Sequence, residues 1–75
     1  MTGEGARESS IAVNLRALRG RSAYSQAELA ERAGVRQVTV ARIELGQTQP
    51  RPRTIRKLAK ALGVEPWQLI DNPRP

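Results

Sequence analysis

Cysteine and histidine are both absent from the 75 residues. Their absence removes disulfides, thiolate nucleophiles, the commonest general base and the usual zinc ligands, so no metal, cofactor or enzymatic activity is expected. The nearest approach to a paired-carboxylate site is Glu28 and Glu31, whose i, i+3 spacing reads as solvated charge on a helix rather than as acid and base. No segment approaches the roughly 20 apolar residues that span a bilayer, and the opening Met1-Thr2-Gly3-Glu4-Gly5-Ala6-Arg7 has no apolar run of signal-peptide length. Strand-like alternation, internal repeats and low-complexity tracts are missing as well. Acidic residues are few, with 7 Asp plus Glu against 13 Lys plus Arg, a net charge of +6. Between Arg36 and Lys60 the only acid is Glu44, beside seven basic residues. Such an excess favours a polyanionic partner, nucleic acid before anionic membrane. No helix pairs a basic face with large exposed aromatics, so membrane binding is not expected.

What remains is helical periodicity. Residues 1–8 are small, polar and aperiodic and read as a flexible arm, with one domain over residues 9–71 and a fraying tail at 72–75. Ser9 or Ser10 can cap a helix whose Ile11, Leu15 and Leu18 recur at i, i+4 and i+7, a stripe that fades by Gly20. Ser25 and Glu28 form a capping box, with Tyr24 against Leu29 as a hydrophobic staple, and this second helix ends at Gly34. A third helix runs from Gln37 to Leu45, with Val40 and Ile43 inward and Gly46 as terminator. Pro52 suits the first turn of a fourth, whose Ile55, Leu58, Ala59 and Leu62 share one face before Gly63. Pro66 opens a short fifth through Trp67, Leu69 and Ile70. The expected fold class is all-α, a compact bundle of about five short helices.

Two short helices joined by a glycine turn occupy residues 25–45, and the small Ala30 sits where they would cross. Ser25-Gln26-Ala27-Glu28-Leu29-Ala30 to Gly34, then Arg42-Ile43-Glu44, Gly46, Pro50 and Leu58-Ala59-Lys60-Ala61-Leu62-Gly63 resemble the lambda-repressor/Cro-like, or xenobiotic-response-element, helix-turn-helix family. The resemblance covers Ile11 to Ile70. It implies a sequence-specific regulator of transcription, a repressor by expectation, that binds double-stranded DNA with the third helix in the major groove.

Gln37, Val38, Thr39 and Arg42 are then the candidate base-reading residues. Gln37 suits adenine, Arg42 suits guanine, and Val38 and the Thr39 methyl suit a thymine methyl. Arg42 has two other readings, an ion pair with an acid of its own chain or a phosphate contact. Gln26 is implied to donate to phosphate and to steady the first residue of the reading helix. Thr48, Gln49, Arg51 and Arg53 in the following loop are further candidates for backbone contacts. Two departures from the family pattern stand out: Arg36 replaces a small capping residue and is read as a phosphate contact, and the loop carries Pro50-Arg51-Pro52-Arg53.

The resemblance makes Arg19 and Glu44 a partly buried structural ion pair. It also implies a homodimer on a palindromic operator, for which Trp67 and Ile70 are the candidate contact, although Trp67 could equally cover its own core. The expected location is the cytoplasm, on the nucleoid. The other class to weigh is an antitoxin or transcriptional adaptor whose main contact is a protein partner.

Overall fold

The computed structural model describes residues 10–71 and consists there of five helices: α1 (Ser10–Arg21), α2 (Gln26–Ala33), α3 (Gln37–Glu44), α4 (Pro52–Leu62) and α5 (Trp67–Ile70). The expected arm, the candidate cap Ser9 and the tail at 72–75 lie outside the described residues. In the packing, α2 touches both α3 and α4, while α1 lies against α3 and α5. No helix among the described residues is long and apolar enough to cross a membrane.

The predicted stripes form the core. Leu15 and Leu18 of α1, Leu29 and Ala30 of α2, Val40 and Ile43 of α3, Leu58 and Ala59 of α4, and Leu69 of α5 are all buried. Each fully buried Leu or Ile contributes about 1.5–3 kcal/mol relative to exposure. That burial has to hold the domain together without any covalent cross-link. Ala30 is buried within the same cluster as Val40 and Ile43, so a larger side chain there would overpack the core on which α2 sits.

Four helices end in one hydrogen-bond pattern. After α2 the N–H groups of Gly34 and Val35 reach back to Glu31 and Ala30, and Gly46 with Gln47, then Gly63 with Val64, repeat it after α3 and α4. Each of these glycines has a φ between 72° and 74°. The same pattern closes α1, where Ala23 donates to Gly20 and Tyr24 to Arg19, but the left-handed residue is Ala23 at φ 60°. For this reason α1 runs past Gly20 to Arg21: Gly20 is an interior helical residue, and the true stop carries no glycine. At the other boundary that differs from expectation, α3 ends at Glu44, one residue early, and Leu45 is an exposed turn residue.

The α2 start forms as its sequence predicts. Ser25 Oγ accepts from the Glu28 N–H at 3.0 Å, and Glu28 Oε1 accepts from the Ser25 N–H at 2.8 Å. The hydrogen bonds from the Ser25 backbone and side chain hold the Glu28 carboxyl below its ordinary range. Tyr24 packs against the core cluster that includes Leu29, and the Arg32 guanidinium lies 4.6 Å from the Tyr24 ring centre.

Candidate nucleic-acid interface

The geometry of α3 follows from two anchors at one side and none at the other. Val40 and Ile43 sink into the core, which turns Gln37, Val38 and Arg42 outward, and all three are exposed. Thr39 is half-buried and so offers less surface than the other three. Arg42 has no ion-pair partner among the described residues, which leaves its guanidinium open to an outside group. Arg36 caps α3 with an extended backbone and no side-chain cap bond, so its charged end also projects from the surface.

The loop after α3 exposes Thr48, Gln49 and Arg51, and Arg53 is exposed in the first turn of α4. Gln49 additionally borders a groove of about 280 Å³ with Ser10, Ile11, Pro50, Ile55 and Ile70. Pro52 occupies the first turn of α4 as anticipated, while the Arg51 carbonyl accepts from the Ile55 N–H.

Beneath this surface lies a charged junction. Arg19 on α1 makes a two-pronged contact with Glu44, Nε to Oε2 at 2.6 Å and Nη2 to Oε1 at 3.0 Å. Its remaining Nη1 donates to the Tyr24 carbonyl at 2.9 Å, so one guanidinium holds both the end of α3 and the turn into α2. Glu44 is only 4% exposed. Burial pushes its carboxyl up, but hydrogen bonds from Arg19 and Gln26, with the charges of Arg19 and Arg16, outweigh that and leave it below the ordinary range. The same contact raises Arg19 further.

Gln26 takes part in this junction. Its Nε2 donates to Glu44 Oε1 at 3.0 Å, at the end of α3, whereas the sequence reading directed it to the start of that helix. The second amide hydrogen has no hydrogen-bond partner among the described residues. Two other residues were not anticipated. Arg16 Nη1 donates to the Glu44 carbonyl at 2.6 Å, and Asn14 Nδ2 donates to the carbonyls of Leu69 and Asp71 at 2.8 and 2.6 Å. Arg16 stands one turn before Arg19, and Asn14 falls on the Ile11 to Leu18 stripe, so helical spacing puts both on the packed side of α1 without indicating the group that either one meets.

At the C-terminal end Trp67 and Ile70 are 59% and 52% exposed, while Leu69 between them is buried. Trp67 therefore leaves more than half of its surface uncovered. Among the described residues no cluster of acidic side chains could hold a metal ion.

Residues 15–66 match the helix-turn-helix family model. Among solved structures, the chain is similar to the restriction-modification controller protein C.AhdI from Aeromonas hydrophila, with 36% identity over 81% of this chain and 92% of that one and a TM-score of 0.78. It is also similar to the hypothetical transcription factor NHTF from Neisseria, at 34% identity over 87% of this chain and 73% of that one, TM-score 0.82. The P22 c2 repressor, solved in complex with a synthetic operator, is 28% identical over 84% of this chain and 96% of its own length, TM-score 0.77. A comparison with curated protein sequences gives no match.

Proposed function

The chain belongs to the helix-turn-helix family, and on that premise we propose that it is a transcriptional regulator, a repressor, that binds a specific double-stranded DNA sequence through the major groove. The observation that carries this reading is the outward set of Gln37, Val38 and Arg42 on a helix anchored from behind by Val40, Ile43 and Glu44. A base-reading helix needs side chains free to reach base edges on a backbone that does not move. Similarity to C.AhdI and to the operator-bound P22 c2 repressor supports the same assignment.

In this reading Arg42 takes guanine O6 and N7, Gln37 takes adenine N6 and N7, and Val38 and Thr39 contact thymine methyls. Arg36, Thr48, Gln49, Arg51 and Arg53 hold phosphates, as does Gln26 through its second amide hydrogen. The regulator works in the cytoplasm, at the nucleoid. A single domain touches few base pairs, so it acts as a homodimer on a palindromic operator with half-sites about 34 Å apart. The exposed apolar pair Trp67 and Ile70 supports α5 as the contact between subunits.

Selection of bound sequences from a random duplex pool, at two salt concentrations and repeated with Arg42→Ala, tests the proposal. A palindromic motif that relaxes at one base pair, with a loss of about 1–3 kcal/mol, is the expected result. Six neutralised phosphates would give a log-log salt slope of about −5. Equal weak binding by both proteins without an enriched motif would refute the proposal in favour of a protein-binding adaptor or antitoxin.

A further inference from the structure

The exposed face of α4 carries charge of one sign only. Arg53, Arg56, Lys57 and Lys60 recur at i, i+3, i+4 and i+7, a single stripe, and Pro52–Leu62 contains no acid. All four are exposed, and none forms an ion pair with a carboxylate among the described residues. At the far end of the stripe Lys57 and Lys60 face Arg32 of α2 across an open groove floored by Ala33 and Ala61.

This patch extends away from the reading surface. Arg32 stands six residues along α2 from Gln26, about 9 Å, and Lys60 seven residues along α4 from Arg53, about 10 Å. The stripe is therefore about as long as the rise of three base pairs along a duplex axis, at about 3.4 Å per pair.

We propose that Arg56, Lys57, Lys60 and Arg32 form a second docking surface, for the sugar-phosphate backbone of a duplex segment other than the operator. The inference rests on the DNA-binding reading above and adds a second contact to it. The composition of the patch selects its partner. A protein interface needs a buried apolar or aromatic centre. The exposed large apolar residues among those described, Val38, Leu45, Trp67 and Ile70, all lie elsewhere. Single-stranded nucleic acid needs free aromatic faces for its bases, and Tyr24, the one aromatic ring beside Arg32, is covered by that guanidinium. Charge alone remains, which suits duplex backbone read without regard to sequence.

The test replaces Arg56, Lys57 and Lys60 together by Ala, a strong helix former at three exposed positions, with thermal melting as the control for folding. Binding of a random-sequence duplex is measured against salt for wild type, the triple variant and Arg42→Ala. The triple variant is expected to flatten the log-log slope by about 2.7, at roughly 0.9 per lost phosphate contact, and to leave affinity for a short operator duplex unchanged. Immobilised operator saturated with wild-type protein should also capture a labelled random-sequence duplex at 50 mM salt and release it at 300 mM. The triple variant should capture at least about tenfold less.

An unchanged slope overturns the proposal. So does equal weakening on the short operator, which would put the stripe on that duplex, and so does capture that is lost in Arg42→Ala at a protein concentration that still saturates the immobilised operator, which would trace it to α3 of a second subunit. Binding of polyglutamate in place of duplex to the operator complex would assign the patch to an acidic protein and overturn the proposal as well. The slope comparison does not depend on an operator, so loss of the sequence-specific reading and loss of this one give different results.

Discussion

The Gln26 amide donates to the Glu44 carboxylate across 3.0 Å, joining the first residue of α2 to the last residue of α3. The turn between those helices is thus closed at both ends of the motif, by Gly34 along the chain and by this bond across it. Arg19 binds the same carboxylate from α1. One buried anion therefore fixes the angle at which α3 meets the rest of the domain.

Removing the two partners of that pair should have unequal consequences. Arg19→Met leaves Glu44, 4% exposed, without its cation, and we expect a loss of about 3–5 kcal/mol in urea unfolding. Glu44→Gln leaves Arg19, which is 23% exposed and keeps part of its hydration, so a smaller loss of about 1–3 kcal/mol is expected. Equal losses, or unchanged melting in both, would show that the junction does not carry the stability assigned to it.

Acid should unfold the domain partly through the same residue. The folded Glu44 carboxyl lies below its ordinary value of 4.5. Its contribution is therefore complete above that value and disappears as the pH falls through the folded one. Glu28 has the same sign, so stability should decline below about pH 4.5 in wild type and decline less steeply in Glu44→Gln. Denaturant midpoints at pH 7 and at several points below 4.5 would check this, and parallel curves would contradict it.

Ala23→Gly should stabilise the protein. Ala23 holds φ 60° at the end of α1, where a Cβ is disfavoured, while the three equivalent positions are glycine. Relief of that strain, less the greater chain entropy of glycine, leaves an expected gain of about 0.5–1 kcal/mol. A lower denaturant midpoint in the variant would contradict it.

Asn14→Ala should loosen α5 before the rest of the domain. The side chain satisfies the carbonyls of Leu69 and Asp71, and α5 has only four residues of its own to hold it. A loss of about 1–2 kcal/mol is expected. Trp67, the one tryptophan, reports the region directly. Its fluorescence transition should precede the far-ultraviolet circular dichroism transition in the variant and coincide with it in wild type.

Local chemistry settled much of this structure in advance. The capping box of Ser25 and Glu28, the glycine stops at 34, 46 and 63, Pro52 and the apolar stripes each depend on neighbours within one or two turns, so their spacing in the sequence specifies them. The same holds for the outward direction of Gln37, Val38 and Arg42, which follows once Val40 and Ile43 are assigned inward. The end of α1 was not legible, because its left-handed residue is Ala23 and the local signal for such a stop is glycine. Nor could spacing indicate that Gln26 meets Glu44, that Arg16 caps the α3 carbonyl, or that Asn14 closes α5. Those bonds join groups 18 to 57 residues apart in the chain. Their partners are fixed only when the helices pack, since a side chain's hydrogen-bond direction depends on where the opposing helix ends, and that is a property of the whole fold.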